Sequence, residues 1–160
     1  MLVSARTRDR LCAWSFVRLQ LTRIMSTKHG FFVRTDLEHD LMEFHFIGHV
    51  TAAEMKTGFA EVNRSVATLR PGFTIFTDLT KLESMDLECA EQLSKTMDLC
   101  RERKVGAVVR VIPIPAKDIG FNILSIIHYR DGVKIRTFDT VAEARAALET
   151  ETKHVKRSAR

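Results

Sequence analysis

Short apolar stretches alternate with amphipathic stretches from Phe31 onward, and this alternation limits the possible folds more than any other feature of the sequence. Apolar stretches such as FTIF and AVVRVI are typical of strands that are buried on both faces of a sheet. Between them, apolar residues recur every three or four positions, which is the spacing of one helix face. The predicted order is ββαβαβαβα, and strands that alternate with helices pair in parallel through right-handed crossovers.

Capping residues mark the starts of two predicted helices. Thr51 with Glu54, and Thr140 with Glu143, have the spacing of a capping box. In this motif a hydroxyl and a carboxylate satisfy backbone N–H groups at the helix start. We therefore expect one α/β domain over residues 31–150, with a mostly parallel sheet of four to five strands and about four helices.

The third predicted helix, which Asp118 can cap, is apolar nearly all round. A helix of this kind is either deeply buried or covered by a second subunit. Its apolar residues are Ile119, Phe121, Ile123, Leu124, Ile126 and Ile127. The helix therefore motivates a hypothesis of homodimerisation. Together with the aromatic first strands, it also motivates an alternative function, a carrier of a lipid or another apolar metabolite.

Positive charge is concentrated at the two ends of the chain. The net charge is +5, and residues 1–30, with six Arg or Lys and one Asp, account for all of it. Residues 151–160 form a second basic segment, so the domain between the two segments is mildly acidic. Phosphate binding needs a clustered basic face, which argues against a nucleic-acid partner. No apolar run approaches the ~20 residues that a membrane-spanning helix needs.

The basic N-terminal extension, residues 1–30, has two interpretations. An Arg-rich segment with few acids is typical of an amphipathic targeting sequence. Alternatively, translation begins at Met25, and MSTKHG is an ordinary polar start. We favour the second interpretation, because nothing before Met25 has the periodicity of a domain element.

The three cysteines indicate a reduced, cytoplasmic protein. Cys89 and Cys100 lie on one predicted helix at a spacing too wide for a disulfide, and Cys12 lies in the N-terminal extension. No CxxC pair suggests a zinc or redox site. We interpret Cys89 and Cys100 as residues that pack a helix against the core.

The candidate functional site is the polar stretch between the strand predicted at 73–76 and the helix that Asp86 is predicted to cap. In an open α/β sheet, functional residues collect at the carboxyl ends of the strands. The candidate contact residues are Asp78, Thr80, Ser84, Asp86 and Glu88. The alternative is a capped, solvated connection without a function.

Other chemistries lack support in the sequence. The glycines are scattered, with neither GxGxxG nor a Walker A motif, so we expect no nucleotide cofactor. His39, His45 and His49 lack the spacing and carboxylate partners of a metal site, and we interpret them as exposed strand residues. An enzyme needs a nucleophile beside a base, and the sequence alone assembles no such pair. We therefore expect a protein that is not an enzyme.

The stretch DLTKLESMDLECA resembles the motif of the STAS domain, D-L-S-G-V-x-F-I-D-S-S-G-L, which occurs in anti-sigma-factor antagonists and sulfate-transporter tails. Asp78, Leu79 and Thr80 fall on its D-L-S positions, and Asp86 falls on the second D without a gap. The predicted order of strands and helices agrees with that family as well. The resemblance implies a regulatory module that binds a protein partner, such as an anti-sigma or kinase-like regulator.

The sequence departs from the motif immediately after Asp86. In the bacterial antagonists, a kinase phosphorylates a serine of the D-S-S-G segment, and the phosphate controls partner binding. Leu87 and Glu88 stand at the two serine positions, and Cys89 stands at the glycine. A carboxylate carries less charge than a phosphoserine and has a different shape. We therefore expect a STAS-like module without the usual phosphorylation switch, whose charged loop supplies specificity and association rate more than affinity.

Overall fold

One mixed sheet of five strands is the centre of the computed structural model, which describes residues 29–114, 124, 128–129 and 132–158. The strands are β1 (Gly30–Asp36), β2 (Leu41–Val50), β3 (Thr74–Met85), β4 (Ala107–Val111) and β5 (Lys134–Phe138). They lie side by side in sequence order. β1 and β2 pair antiparallel, and all other neighbours pair in parallel. The α/β class and the mostly parallel sheet are confirmed.

Three helices are described in full. They are α1 (Ala52–Val66), α2 (Cys89–Glu102) and α3 (Val141–Ser158). The boundary expected at residue 150 therefore falls inside α3. The helix predicted after Asp118 falls mainly on residues 115–123 and 125–127, which lie outside the described residues. Homodimerisation through that helix stays a prediction.

Side chains of the sheet form a core on each face, because successive residues of a strand point to opposite sides. One face is covered by α1 and α2, and its buried residues include Met42, Phe44, Phe46, Ile75, Met55, Val62, Leu93 and Met97. The other face is covered by α3, and its buried residues are Leu41, Phe76, Val109, Val111, Ala144 and Leu148. Burial of these side chains supplies most of the driving force for the fold.

The first predicted capping box is present in full, and the second is present in part. The Thr51 hydroxyl accepts from the Glu54 N–H at 3.3 Å, and the Glu54 carboxylate accepts from the Thr51 N–H at 2.8 Å. At the start of α3, the Thr140 hydroxyl accepts from the Glu143 N–H at 3.3 Å. These contacts satisfy N–H groups that have no partner within a helix.

The prediction that Asp86 caps α2 was wrong. Glu88 occupies the N-cap position of α2, and its side chain makes no capping hydrogen bond. The Asp86 carboxylate instead accepts from the N–H of Ala52 at 3.1 Å, at the start of α1. The reason is spatial, because β2 and β3 end side by side, and this brings Asp86 next to the residue that follows β2.

Strand β3 is longer than predicted, and most of the expected loop belongs to it. Its residues beyond Asp78 pair with β2 alone, because β4 ends at that level. β2 advances four residues from His45 to His49, while β3 advances six from Asp78 to Ser84. Two bulges absorb the difference, and Gly48 at the second has a φ of +65° that favours glycine.

Candidate functional site along strand β3

Four of the five predicted site residues fall into two clusters, each built around one histidine of β2. The His45 cluster consists of Glu43, His45, Asp78, Thr80 and Arg145. The His49 cluster consists of His49, Ser84 and Asp86. Glu88 belongs to neither and is exposed between β3 and α2. Asp78 and Ser84 pair with His45 and His49, which are four residues apart on β2, so the two clusters are separated by roughly 13 Å along the strands.

His45 lies between two carboxylates on the face of the sheet that α3 covers. Its Nε2 is 3.3 Å from Glu43 Oε2, and its Nδ1 is 3.6 Å from Asp78 Oδ2. Thr80 donates its N–H to Asp78 Oδ1 at 2.9 Å and its hydroxyl to the same oxygen at 2.6 Å. Only 16% of the His45 side chain is exposed, so the expectation of an exposed strand histidine was wrong for this residue.

Arg145 connects this cluster to helix α3. Its guanidinium forms an ion pair with the Glu43 carboxylate. The guanidinium carbon also lies 4.0 Å from the centre of the Phe76 ring, which is a cation–π contact. Because Arg145 stands in the same helix as the core residues Ala144 and Leu148, this polar contact extends the apolar contact between α3 and the sheet.

The charges of the His45 cluster stabilise one another. Burial by itself would raise the pKa of Glu43, but hydrogen bonds from His45 and Arg145 outweigh burial and lower that pKa to about 2. Burial would lower the pKa of His45, but hydrogen bonds to Asp78 and Glu43 outweigh burial and raise it above 6.5. Burial would raise the pKa of Asp78, but hydrogen bonds from His45 and Thr80 lower it. The cluster therefore favours the charged form of each of these groups.

His49 occupies the more open end of β2. Its Nδ1 is 2.7 Å from Ser84 Oγ, and its Nε2 is 3.0 Å from Asp86 Oδ1. Half of its side chain is exposed, as the sequence predicted for a strand histidine. The sequence contains no local signal of this cluster, because the partners of His49 are 35 and 37 residues away.

Leu87 is the most exposed large apolar side chain among the described residues, with 87% of its surface accessible. It stands between Asp86 and Glu88 in the turn that enters α2. This turn is anchored, because Cys89 is fully buried and its N–H donates to the Asp86 carbonyl at 3.0 Å. Leu87 was not among the predicted contact residues, although its place at a serine position of the STAS motif was a signal.

The cysteines that the structure describes are buried and free. Burial raises the pKa of the Cys100 thiol to about 12, and burial together with the Asp86 charge raises that of Cys89. Both thiols therefore favour the unreactive protonated form, in agreement with a packing role. Cys12 lies outside the described residues.

The described ranges hold no metal site, but they do hold cavities. They contain no group of three or more His, Cys, Asp or Glu side chains that could hold a metal ion. A cavity between the sheet and α2 is lined by residues such as Phe44, Leu93 and Arg110 and has a volume of about 30 Å³. This is room for roughly one water molecule. A second, open groove beside β1 and α1 has a volume of about 530 Å³ and is lined by residues that include Phe31 and Phe32, so the carrier alternative stays a prediction. No helix in this part of the chain has the length and apolar character that crossing a membrane requires.

The sequence matches no protein-family model and no curated protein. Among solved structures, an uncharacterized protein of the DUF3478 family with a SpoIIAA-like fold, from Shewanella loihica PV-4, is similar over 76% of this chain and 96% of its own, with 15% identity and a TM-score of 0.60. The anti-sigma factor antagonist SpoIIAA in its unphosphorylated form is similar over 74% of this chain and 97% of its own, with 13% identity and a TM-score of 0.55.

These likenesses concern the fold. The chain has the SpoIIAA-like, or STAS, fold. The fold that the DLTKLESMDLECA motif implied is therefore confirmed, and it extends over about three quarters of the chain.

Proposed function

We propose that the protein is a non-enzymatic, cytoplasmic regulatory module that binds a protein partner. The contact edge consists of residues Asp78–Glu88 together with the start of α2. The fold supports this proposal, since SpoIIAA is described as an anti-sigma factor antagonist. An anti-sigma or kinase-like regulator is the corresponding class of partner.

The observation that carries the proposal is the exposure of Leu87. An apolar side chain on a fixed turn can enter a pocket of a partner with little loss of conformational entropy. The carboxylates of Asp86 and Glu88 flank it, so the complementary surface is an apolar pocket with basic residues at its rim. In this proposal Leu87 supplies the apolar contact to the partner, and Glu88 supplies a negative charge beside it.

Glu88 also bears on regulation. It stands where the antagonists carry the phosphorylated serine of D-S-S-G, and its side chain makes no capping contact. A permanent carboxylate at that position keeps a negative charge on the edge without a kinase. We infer that partner binding by this protein does not depend on phosphorylation at that position.

The experiment is a quantitative pull-down with the full chain as bait. We expect Leu87→Ala to reduce, about tenfold, the retained amount of a protein that the wild-type bait binds. Tenfold corresponds to about 1.4 kcal/mol of binding free energy, and anchor residues commonly contribute that much. Glu88→Lys should reduce it as well. Leu37→Ala is the matched control, because Leu37 is also exposed, at 59%, but lies in the turn before β2, at the opposite end of that strand.

The proposal fails if all four baits retain the same proteins in equal amounts. Leu87→Ala and Glu88→Lys should leave thermal stability within about 0.5 kcal/mol of wild type, since both residues are exposed. A Glu88→Ser bait then tests the fixed charge. If it holds the partner as wild type does, the charge at Glu88 is not the determinant, and the apolar contact of Leu87 dominates.

A further inference from the structure

The His49 cluster places a hydroxyl, an imidazole and a carboxylate in one hydrogen-bonded line. Ser84 Oγ is 2.7 Å from His49 Nδ1, and His49 Nε2 is 3.0 Å from Asp86 Oδ1. A nucleophile within hydrogen-bond reach of a base, with a third group that orients the base, is the arrangement of an activated side chain. The structure thus assembles the pair of nucleophile and base that the sequence alone did not.

The orientation of the imidazole is determined from its far side. Asp86 Oδ2 accepts from the N–H of Ala52 at 3.1 Å, which holds the carboxylate against the start of α1. The other oxygen, Oδ1, can only accept a hydrogen bond from the ring, so a neutral His49 carries its proton on Nε2. The lone pair of Nδ1 then faces Ser84, whose hydroxyl donates to it. Relative to serine proteases, the two ring nitrogens exchange places, but the order of the three groups is the same.

Two other hydroxyls, those of Thr80 and Ser94, make different contacts. Thr80 belongs to the His45 cluster, but its hydroxyl donates to the Asp78 carboxylate at 2.6 Å. Ser94, a half-buried serine of α2, donates to the carbonyl of Ala90 at 2.9 Å. A carbonyl cannot take up the proton of a hydroxyl, whereas an imidazole can. Ser84 therefore has a proton acceptor, and Ser94 does not.

We propose that Ser84 is a covalent acceptor site for acyl groups from small activated esters. In this step Ser84 Oγ attacks the ester carbonyl carbon and its proton moves to His49 Nδ1. The carbon–oxygen bond to the leaving group breaks, and the leaving oxygen takes up that proton. The products are an O-acyl serine and the free alcohol, and no oxidant or metal takes part.

The surroundings favour an acyl group over a phosphoryl group. Ser84 and His49 are exposed, so a small donor reaches the hydroxyl without a channel. Ser84 and Asp86 contact the same imidazole, so a phosphate on Ser84 would bring nearly two negative charges close to a carboxylate. A neutral acyl ester adds no charge. This inference goes beyond the proposed function and does not rest on it, because acylation needs no partner.

The test uses the full chain, p-nitrophenyl acetate as the acyl donor, and peptide mapping by mass spectrometry. We expect Ser84 to be acetylated at least about tenfold faster than Ser94, which serves as the internal control in the same molecule. His49→Ala should slow acetylation of Ser84 about 100-fold, because proton transfer by a positioned base commonly contributes that much. Free imidazole added to this variant should restore part of the rate.

Asp86 is a positioning residue in this scheme. Asp86→Asn should slow acetylation, and Asp86→Glu, which keeps a carboxylate, should recover part of the rate at equal thermal stability. Acetylation of Ser84 no faster than of Ser94 in the wild-type chain overturns the inference, and that comparison needs no variant to fold. An unchanged rate in folded His49→Ala overturns it equally. Neither result bears on the outcome of the pull-down, because the pull-down measures partner binding by unmodified protein.

Discussion

His45 and His49 share strand β2 but have different surroundings. His45 has 16% of its side chain exposed and lies between the carboxylates of Glu43 and Asp78, with Arg145 completing the cluster from α3. His49 has 50% exposed and lies between one carboxylate and one hydroxyl. His45 pairs with Asp78 at the level where β4 ends, whereas His49 lies four residues further along β2, where only β3 pairs with it.

The difference shows that burial decides whether a histidine with a carboxylate partner stabilises the fold or remains accessible for reaction. Charges that are withdrawn from water must be paired, because an uncompensated buried charge costs several kcal/mol. The His45 cluster meets that condition and connects α3 to the sheet. Water reaches the His49 cluster, where an ion pair contributes about 0–1 kcal/mol, so its geometry matters more for chemistry than for stability.

Of the replacements that distinguish the two clusters, we expect Glu43→Gln to have the largest effect, which is a loss of stability. This change removes the carboxylate that pairs with both Arg145 and His45. We expect the free energy of unfolding to fall by about 2–4 kcal/mol, since loss of one member of a buried ion pair leaves the other charge buried without compensation. Urea denaturation monitored by circular dichroism measures the change.

Glu83→Gln is the matched control for Glu43→Gln. Glu83 is an exposed residue of β3, and its replacement should change the free energy of unfolding by less than about 0.5 kcal/mol. Equal effects of the two replacements would mean that the His45 cluster contributes no more to stability than a surface charge does.

The pH dependence of stability should carry the signature of the His45 cluster. The pKa of His45 is raised above 6.5 in the folded protein, so its stabilising contribution is complete below 6.5 and is lost as the pH rises through the folded pKa. The pKa of Glu43 is lowered from 4.5 to about 2, so its contribution is complete above 4.5 and is lost as the pH falls toward 2. We expect a maximum between pH 4.5 and 6.5.

Urea denaturation at a series of pH values measures this profile. His45→Gln removes the titrating group, so we expect the loss of stability above pH 6.5 to become smaller in this variant even if its overall stability is lower. A variant whose profile parallels wild type above pH 6.5 would show that another group controls that side of the curve.

The order of elements was predictable because each helix and strand carries its own periodicity. The extension of β3 was not, because its bulges break the alternation of a regular strand. The buried residues Leu79 and Leu82 are three positions apart, and the residues between them are polar and exposed. A polar stretch with that spacing has the composition of a loop, and only pairing with β2 makes it a strand.

Some residues of the two clusters were predicted as contact residues, but their grouping was not predicted, and partner binding by them stays a prediction. Asp78 and Asp86 were identified from their place after a buried strand and from the resemblance to the STAS motif, and Ser84 from its place alone. Their partners His45 and His49 depend on the register between β2 and β3, which two bulges shift. Register of this kind is decided by packing across the whole sheet, and no local pattern records it.

The smallest expected effect is that of His49→Gln on stability. Because half of the imidazole is exposed, loss of its contacts to Ser84 and Asp86 should cost less than about 1 kcal/mol. The same urea denaturation as for Glu43→Gln measures it, so the two replacements compare the clusters directly. The acetylation rate of Ser84 in His49→Gln should nevertheless fall sharply, since glutamine cannot act as a base.

A loss of several kcal/mol in His49→Gln would remove the contrast between the clusters. His49 would then be required to hold the ends of β2 and β3 together, and a slower acetylation of Ser84 in any His49 variant could reflect a displaced strand. If the loss of stability is small, the free energy of unfolding and the acetylation rate of Ser84 can be attributed separately. Stability then follows burial at His45, and reactivity follows the hydrogen bond between His49 and Ser84.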